Sequence, residues 1–341
     1  MSKKKISNTI ATRFIAAGFL MLILQSCQRY QALPNALEKY SNRMYKVLDL
    51  EQKDIPTFST LAFEDKSAFA IDLPELNIKM REFYAIDSCA IKQLIAERNT
   101  ALGKIQLPSV RLSYEWKLIE LLRECIKSDV NAENEVLTAK MQDWLSQKQT
   151  IFPLIWANML TQSDEFYLGI SSSGGFIDGN EKDNFTEGLF DLKNVIAIKN
   201  DQASNIVEME ASLKSIQQHR IYARLWRSQI LLRDYLQKMT VDISAWASTF
   251  TCHTRKDKEK LAIIRQVFTL FFINEVQSIA AQINKYHYAF KPEFLKISGD
   301  ENLPRNFTST IERYNQSAFD EYQHAMLAHI NMWQRIFKKC D

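Results

Sequence analysis

Three stretches of this 341-residue chain keep apolar residues at helical spacing for thirty positions or more. They cover about 201–238 (extending towards Phe250), 257–290 and 308–339. A helix of over thirty residues reaches about 45–50 Å. Three such helices joined by short connections predict an elongated antiparallel bundle. Glycine and proline are scarce, eight and seven in all, which argues against an all-β fold built on tight turns. The fold class is therefore all-α. Phe268, Phe271, Phe272, Val276 and Ile279 cover a face too wide for a two-helix seam. The second of the three long helices is thus expected at the centre of the bundle.

Upstream, Asn35 is the expected cap of a helix reaching about Leu48, with Leu37, Tyr40, Met44 and Val47 on one face. Residues 50–78 contain Pro56 and Pro74 among Leu61, Phe63 and Phe69, whose apolar rings call for an extended segment that wraps the core. A helix through Cys89, Leu94 and Ile95 ends near Asn99 and Gly103, with Asp87 or Ser88 as its cap. Pro108 restarts a helix to about Ser128, because proline fits a first turn where no N–H is needed. These two form a helix–turn–helix region. A further helix covers about 133–148, and Pro153 is expected to begin another or to kink it. Five of the eight glycines fall in 169–188, which reads as a long Gly/Ser-rich surface loop. That loop lacks Gly-Lys-Ser/Thr and Gly-x-Ser-x-Gly, so it is neither a phosphate cradle nor a nucleophile elbow. Residues 35–341 read as one helical domain, with 35–168 and 189–341 as the natural subdivision around the loop.

The N-terminus carries an address. Lys3, Lys4, Lys5 and Arg13 precede an apolar run from Phe14 to Leu24. Eleven helical residues span only about 16 Å, too short for a hydrocarbon core of roughly 30 Å. The run is the core of a signal peptide. Leu24-Gln25-Ser26-Cys27 then resembles the bacterial lipobox. The resemblance implies removal of residues 1–26, acylation of Cys27, and a short tether over 27–34. Two or three acyl chains anchor durably where one does not. Gln28, where an aspartate would signal retention in the inner membrane, implies the outer membrane, facing the periplasm. Removal of residues 1–26 takes away four basic residues and no acid, so the formal charge falls from +3 to −1. The expected partners are the membrane, through the acyl chains, and an envelope protein or polymer. Nucleic acid has no electrostatic basis.

Four cysteines remain: Cys89, Cys125, Cys252 and Cys340. In an oxidising compartment they suggest two disulfides with three possible connectivities. Cys89 and Cys125 lie on helices joined by one turn region, and Cys252 and Cys340 lie at the ends of late helices. Those two pairings are favoured.

Glu97-Arg98-Asn99-Thr100-Ala101-Leu102-Gly103-Lys104, followed by Pro108-Ser109-Val110-Arg111-Leu112-Ser113-Tyr114-Glu115, is a distinctive run. It resembles the pattern of an uncharacterised family of bacterial lipoproteins classed as a domain of unknown function. That implies an outer-membrane lipoprotein without an assigned activity. Glu97, Arg98, Asn99, Arg111, Tyr114 and Glu115 are the candidate ligand or partner site. Two arginines in a cleft could grip a carboxylate or phosphate bidentately; alternatively the same groups form a structural network at a helix–turn–helix corner. The two readings divide on geometry. No catalytic residue, cofactor or metal is expected: His324 and His329 are five apart, a poor spacing for one helix face. The leading expectation is a non-catalytic interaction or scaffold lipoprotein; the alternative is a small-ligand-binding protein or enzyme using a cleft near Arg98, Arg111 and Glu115.

Overall fold

A computed structural model describes residues 31–51, 60–74, 78–86, 89–100, 106–128, 134–172, 174–179, 184–200 and 203–340. Cys27, the tether before Gln31, Asp87, Ser88 and Gly103 lie outside them. The described residues are all-α and contain no strand. In chain order the helices are α1 (Ala32–Leu48), α2 (Met80–Ala85), α3 (Ile91–Arg98), α4 (Pro108–Lys127), α5 (Glu135–Gln162), α6 (Asp164–Ser171) and α7 (Phe185–Ala197). Then follow α8 (Ala203–His219), α9 (Ile221–Thr249) and α10 (Arg255–Val267). A π-helical segment, Phe268–Val276, carries α10 without a break into α11 (Gln277–Ser298). A second, Arg313–Ser317, joins α12 (Arg305–Glu312) to α13 (Ala318–Phe337).

The bundle runs up, down and up. Gln229 on α9 meets His287 on α11 at 3.4 Å, while Trp226, earlier on α9, packs against Phe294, later on α11. These two helices are therefore antiparallel. Arg233 meets Glu321 at 2.5 Å and Thr240 meets His329 at 2.9 Å, so α9 and α13 run parallel. α1 lies antiparallel to α10 and the π segment, through Lys260–Asp49 at 2.8 Å and Lys39–Glu275 at 3.4 Å.

The central helix is α9, not the stretch around 257–290. Every residue from Ile221 to Leu232 is buried. A helix buried on all sides has neighbours all round. Residue types do not announce this burial, because the span includes Arg224, Arg227, Ser228 and Gln229. The wide aromatic face of 268–279 has a different cause. In a π-helix each turn holds an extra residue, so Phe272 and Val276 are buried while Phe268 and Phe271 remain partly covered along the same segment.

Four other boundaries differ from expectation. α1 begins at Ala32, with Pro34 inside its first turn, and Asn35 does not cap it. α5 runs straight through Pro153 to Gln162. The stretch expected as one helix from 201 to 238 is broken at Arg220, which adopts a left-handed conformation (φ 47°) between α8 and α9. The Gly/Ser-rich loop is shorter than 169–188, and residues 175–178 within it are buried, not on the surface. Phe176 and Ile177 are fully buried against α9. Two aromatic or branched residues side by side outweighed the solubility of the surrounding serines.

The main core runs from Leu33 to Ile336. A smaller core is built from Ile86, Ile91, Leu94, Ile95, Leu118, Leu122, Cys125, Leu137, Met141 and Trp144. The α4–α5 pair carries both, with Leu112 and Ile119 of α4 in the large cluster and Leu118 and Leu122 in the small one. The wrapping segment is also real: Leu61, Phe63 and Phe69 pack on the main core. Cys89–Cys125 closes the small core and Cys252–Cys340 ties the end of α9 to the end of α13. Their sequence separations are 36 and 88 residues. In the chain-entropy account these loops stabilise by about 4 and about 5 kcal/mol. Reduction should therefore lower the urea midpoint, and the Cys89→Ser/Cys125→Ser double variant should expose Trp144 in the small core first, read by fluorescence.

Gly169 sets a second test. A Cβ there would stand 2.3 Å from Ile216 Cγ2 and 3.1 Å from the Ile216 carbonyl oxygen, so α6 touches α8 without room for a methyl group. Gly169→Ala should cost about 1–3 kcal/mol in urea denaturation. An unchanged midpoint would show that the α6–α8 contact yields.

Candidate functional site

Proline at the start of α4 and a helical register of four residues place Arg111 and Glu115 on one face, turned towards α5. There the Glu115 carboxylate is fully buried. Arg111 Nη2 meets its Oε1 at 2.5 Å and Lys148 Nζ, from α5, meets its Oε2 at 2.7 Å. The Lys148 side chain is 5% exposed and that of Arg111 is 19% exposed. These are ion pairs at contact distance with angles off the hydrogen-bond direction, and Arg111 Nε has no hydrogen-bond acceptor. Arg98, from the end of α3, lies 5.8 Å from the centre of the Tyr114 ring, and Arg111 lies 5.9 Å from it. Burial, with the neighbouring Glu115 charge, pushes the Tyr114 hydroxyl up to about 12, so it stays protonated at neutral pH.

The structure thus brings together Arg98, Arg111, Tyr114 and Glu115. Glu97 and Asn99 stand apart and exposed; Glu97 accepts a hydrogen bond from Gln93 and Asn99 caps the end of α3. Lys148 is the member that the sequence reading missed. It sits 33 residues downstream in a helix whose polar residues looked solvent-facing. The resulting geometry is a closed ion-pair network at the α3–α4–α5 corner. A buried charge that loses its partner is costly, about 3–5 kcal/mol. Glu115→Ala, which strands two cations, should lower unfolding free energy by that amount, and Arg111→Ala should lower it less, both in urea titrations.

Two further polar groups emerged only in three dimensions. In the first, Tyr40 Oη and His329 Nε2 are 2.8 Å apart, Trp333 Nε1 donates to Tyr40 Oη at 2.9 Å, and Thr240 Oγ1 meets His329 Nδ1 at 2.9 Å. This network joins α1, α9 and α13. His324, five residues earlier, is exposed, so the two histidines do share no face. In the second, Ser215 donates to Asp191 at 2.5 Å and also lies 3.2 Å from His219 Nδ1. Glu187 approaches the same His219 nitrogen at 3.8 Å. A catalytic triad needs the acid on one imidazole nitrogen and the serine on the other. Here one nitrogen faces both, and Asp191 takes the serine proton, so the cluster pins α7 to α8. Among the described residues no three His, Cys, Asp or Glu side chains are grouped to hold a metal ion, and no helix is long and apolar enough to cross a membrane.

A family described as "Protein of unknown function (DUF3080)" matches residues 37–341. The chain belongs to the DUF3080 family. No curated protein and no solved structure matches it. The DUF3080 match runs from within α1 to the end of α13 and covers the smaller core, the main core from Leu37 onward and all four disulfide cysteines.

Burial also fixes a pH response. Desolvation holds the His329 imidazole down at about 3, and desolvation followed by the charge of Lys291 holds His287 at about 3. The ordinary histidine value is near 6.5. Folded protein keeps both rings neutral, while unfolded chain takes up protons below about 6.5. The stability they confer is complete above that pH and is lost as pH falls towards 3, by about 1.4 kcal/mol per pH unit for each ring. Melting temperature should drop steadily from pH 7 to pH 4.5. His329→Gln should flatten that slope while lowering the value at pH 7.

Proposed function

We propose that this DUF3080 protein is a lipid-anchored envelope protein, held at the outer membrane by acyl chains on Cys27 and facing the periplasm. It presents a rigid helical surface to an envelope protein or polymer and acts as an interaction or scaffold lipoprotein. The observation that carries the reading is the order of three sequence elements: a basic start without acids, an apolar run too short to span, and Leu-Gln-Ser-Cys directly after it. The two disulfides support it, since such bonds persist in oxidising compartments. The closed character of the Glu115 network supports the non-catalytic part.

In cells fed an alkyne-tagged fatty acid, the wild-type protein should carry label and fractionate with the outer membrane. The Cys27→Ser variant should carry none and leave that fraction. Label on the variant, or unlabelled wild type in the soluble fraction, would sink the anchoring. In-cell crosslinking should recover one specific envelope protein or polymer. Recovery of no partner, together with turnover by the purified protein, would overturn the scaffold role.

A further inference from the structure

Helix α10, the start of the π segment and Cys340 line an open groove of about 750 Å³. Leu261, Ala262, Leu270 and Cys340 give it apolar surface, and Gln266 and Thr269 add neutral polar groups. Lys258 and Arg265 supply positive charge. They stand seven residues apart on one helix, about 10 Å along the axis. Each side chain is long enough for both cationic heads to reach a group between them. Lys258 has no ion-pair partner among the described residues. The Arg265 guanidinium stands 5.0 Å from the centre of the Phe337 ring, which holds it at the rim.

The surroundings reinforce that charge. Residues 255–265 and 335–341 contain eight basic residues against Asp257, Glu259 and Asp341. Arg255 pairs with Glu259 at 2.8 Å and Lys260 with Asp49 at 2.8 Å. This end of the molecule therefore keeps an excess of basic residues, although the chain from Cys27 onward is close to neutral. Leu270, 56% exposed, lies at the other end of the groove, and Ile273 continues the apolar line beyond it at 36% exposure. A large apolar side chain left in water beside a cationic pocket has a matching ligand: one with an anionic head and a hydrocarbon tail.

We propose that this groove binds a single-chain anionic amphiphile. Its phosphate or carboxylate head sits between Lys258 and Arg265, and its alkyl chain lies over Ala262 and Leu270 against the wall formed by Leu261 and Cys340. Charge complementarity selects the head, and apolar burial along α10 supplies the tail site.

The test uses the chain from residue 28 onward, which retains every described buried side chain, with dodecyl phosphate below its micelle concentration as the calorimetric probe. Dodecyl phosphate should bind about tenfold tighter than dodecyl maltoside or inorganic phosphate. Leu270→Asp and Lys258→Gln, both at exposed positions and checked for unchanged circular dichroism, should each weaken it by about tenfold. Equal binding of the maltoside would overturn the site. So would dodecyl phosphate binding that ignores both substitutions, or no binding at all. Binding seen only with vesicles containing anionic phospholipid would place the charge at a bilayer surface and overturn the single-molecule site. A dimer that dissociates in Leu270→Asp would assign the groove to a second copy and overturn it too.

Discussion

The fold depends on one helix being buried from every side although a third of its buried half is polar. From Ile221 to Leu232, α9 has no solvent face, yet it carries Arg224, Arg227, Ser228 and Gln229. Polar groups removed from water must find partners or cost several kcal/mol each. Gln229 meets His287 on α11, and partners for the others come from the Gly/Ser-rich segment. Arg224 donates from Nε and Nη2 to the Phe176 carbonyl at 3.1 and 2.9 Å, and the Ile177 amide donates to Ser228 Oγ at 2.9 Å. Arg227 adds a contact with the Phe176 ring at 4.7 Å. The segment enters the protein because α9 requires its carbonyl and amide groups, and it can enter because Phe176 and Ile177 contribute apolar surface of their own.

Around that axis the long helices are joined by side chains that each serve two neighbours. Trp226 on α9 stacks near Tyr314 at 5.4 Å and tilts against Phe294 at 5.0 Å. Phe63, from the wrapping segment, completes the stack at 5.3 Å from Tyr314. At the other end, Tyr40, His329 and Trp333 tie α1 to α13 with hydrogen bonds instead of rings alone. The π segment makes this possible. By tightening the axial rise, it brings Phe268 and Phe272 into one aromatic set with Trp333 and His329. The Tyr40–His329–Trp333 cluster thus joins α1 to α13.

Much of this was legible in the residues. The helix around 108–128, its proline start and its apolar stripe through Leu112, Ile119 and Leu122 follow from spacing alone. The pairing of Cys89 with Cys125 follows from two adjacent helices. Helices 255–298 and 305–337 are visible as long periodic runs. What resisted reading was polar residues used as core. Lys148 looks like a solvent-facing lysine in sequence, and only its proximity to Glu115 makes it a buried counter-ion. Arg220 gives no sign of a left-handed break, since arginine has no preference for that conformation. Pro153 does not begin a new helix, because the helix that contains it continues to Gln162.

The sequence by itself determined the all-α fold class and favoured the two disulfide pairs that the structure forms. Each depends on local or compositional signals: apolar period, glycine and proline scarcity, and cysteine placement. The tertiary structure alone decided which helix lies at the centre, where the loop goes, and whether Arg98, Arg111, Tyr114 and Glu115 form a cleft or a closed network. Those outcomes depend on which buried charges and dipoles find each other across 33 to nearly 300 residues of chain, as Glu115 finds Lys148 and Tyr40 finds Trp333 at a separation of 293. A linear pattern records each partner's chemistry, but the cost of burying it is set by the neighbour that folding brings alongside.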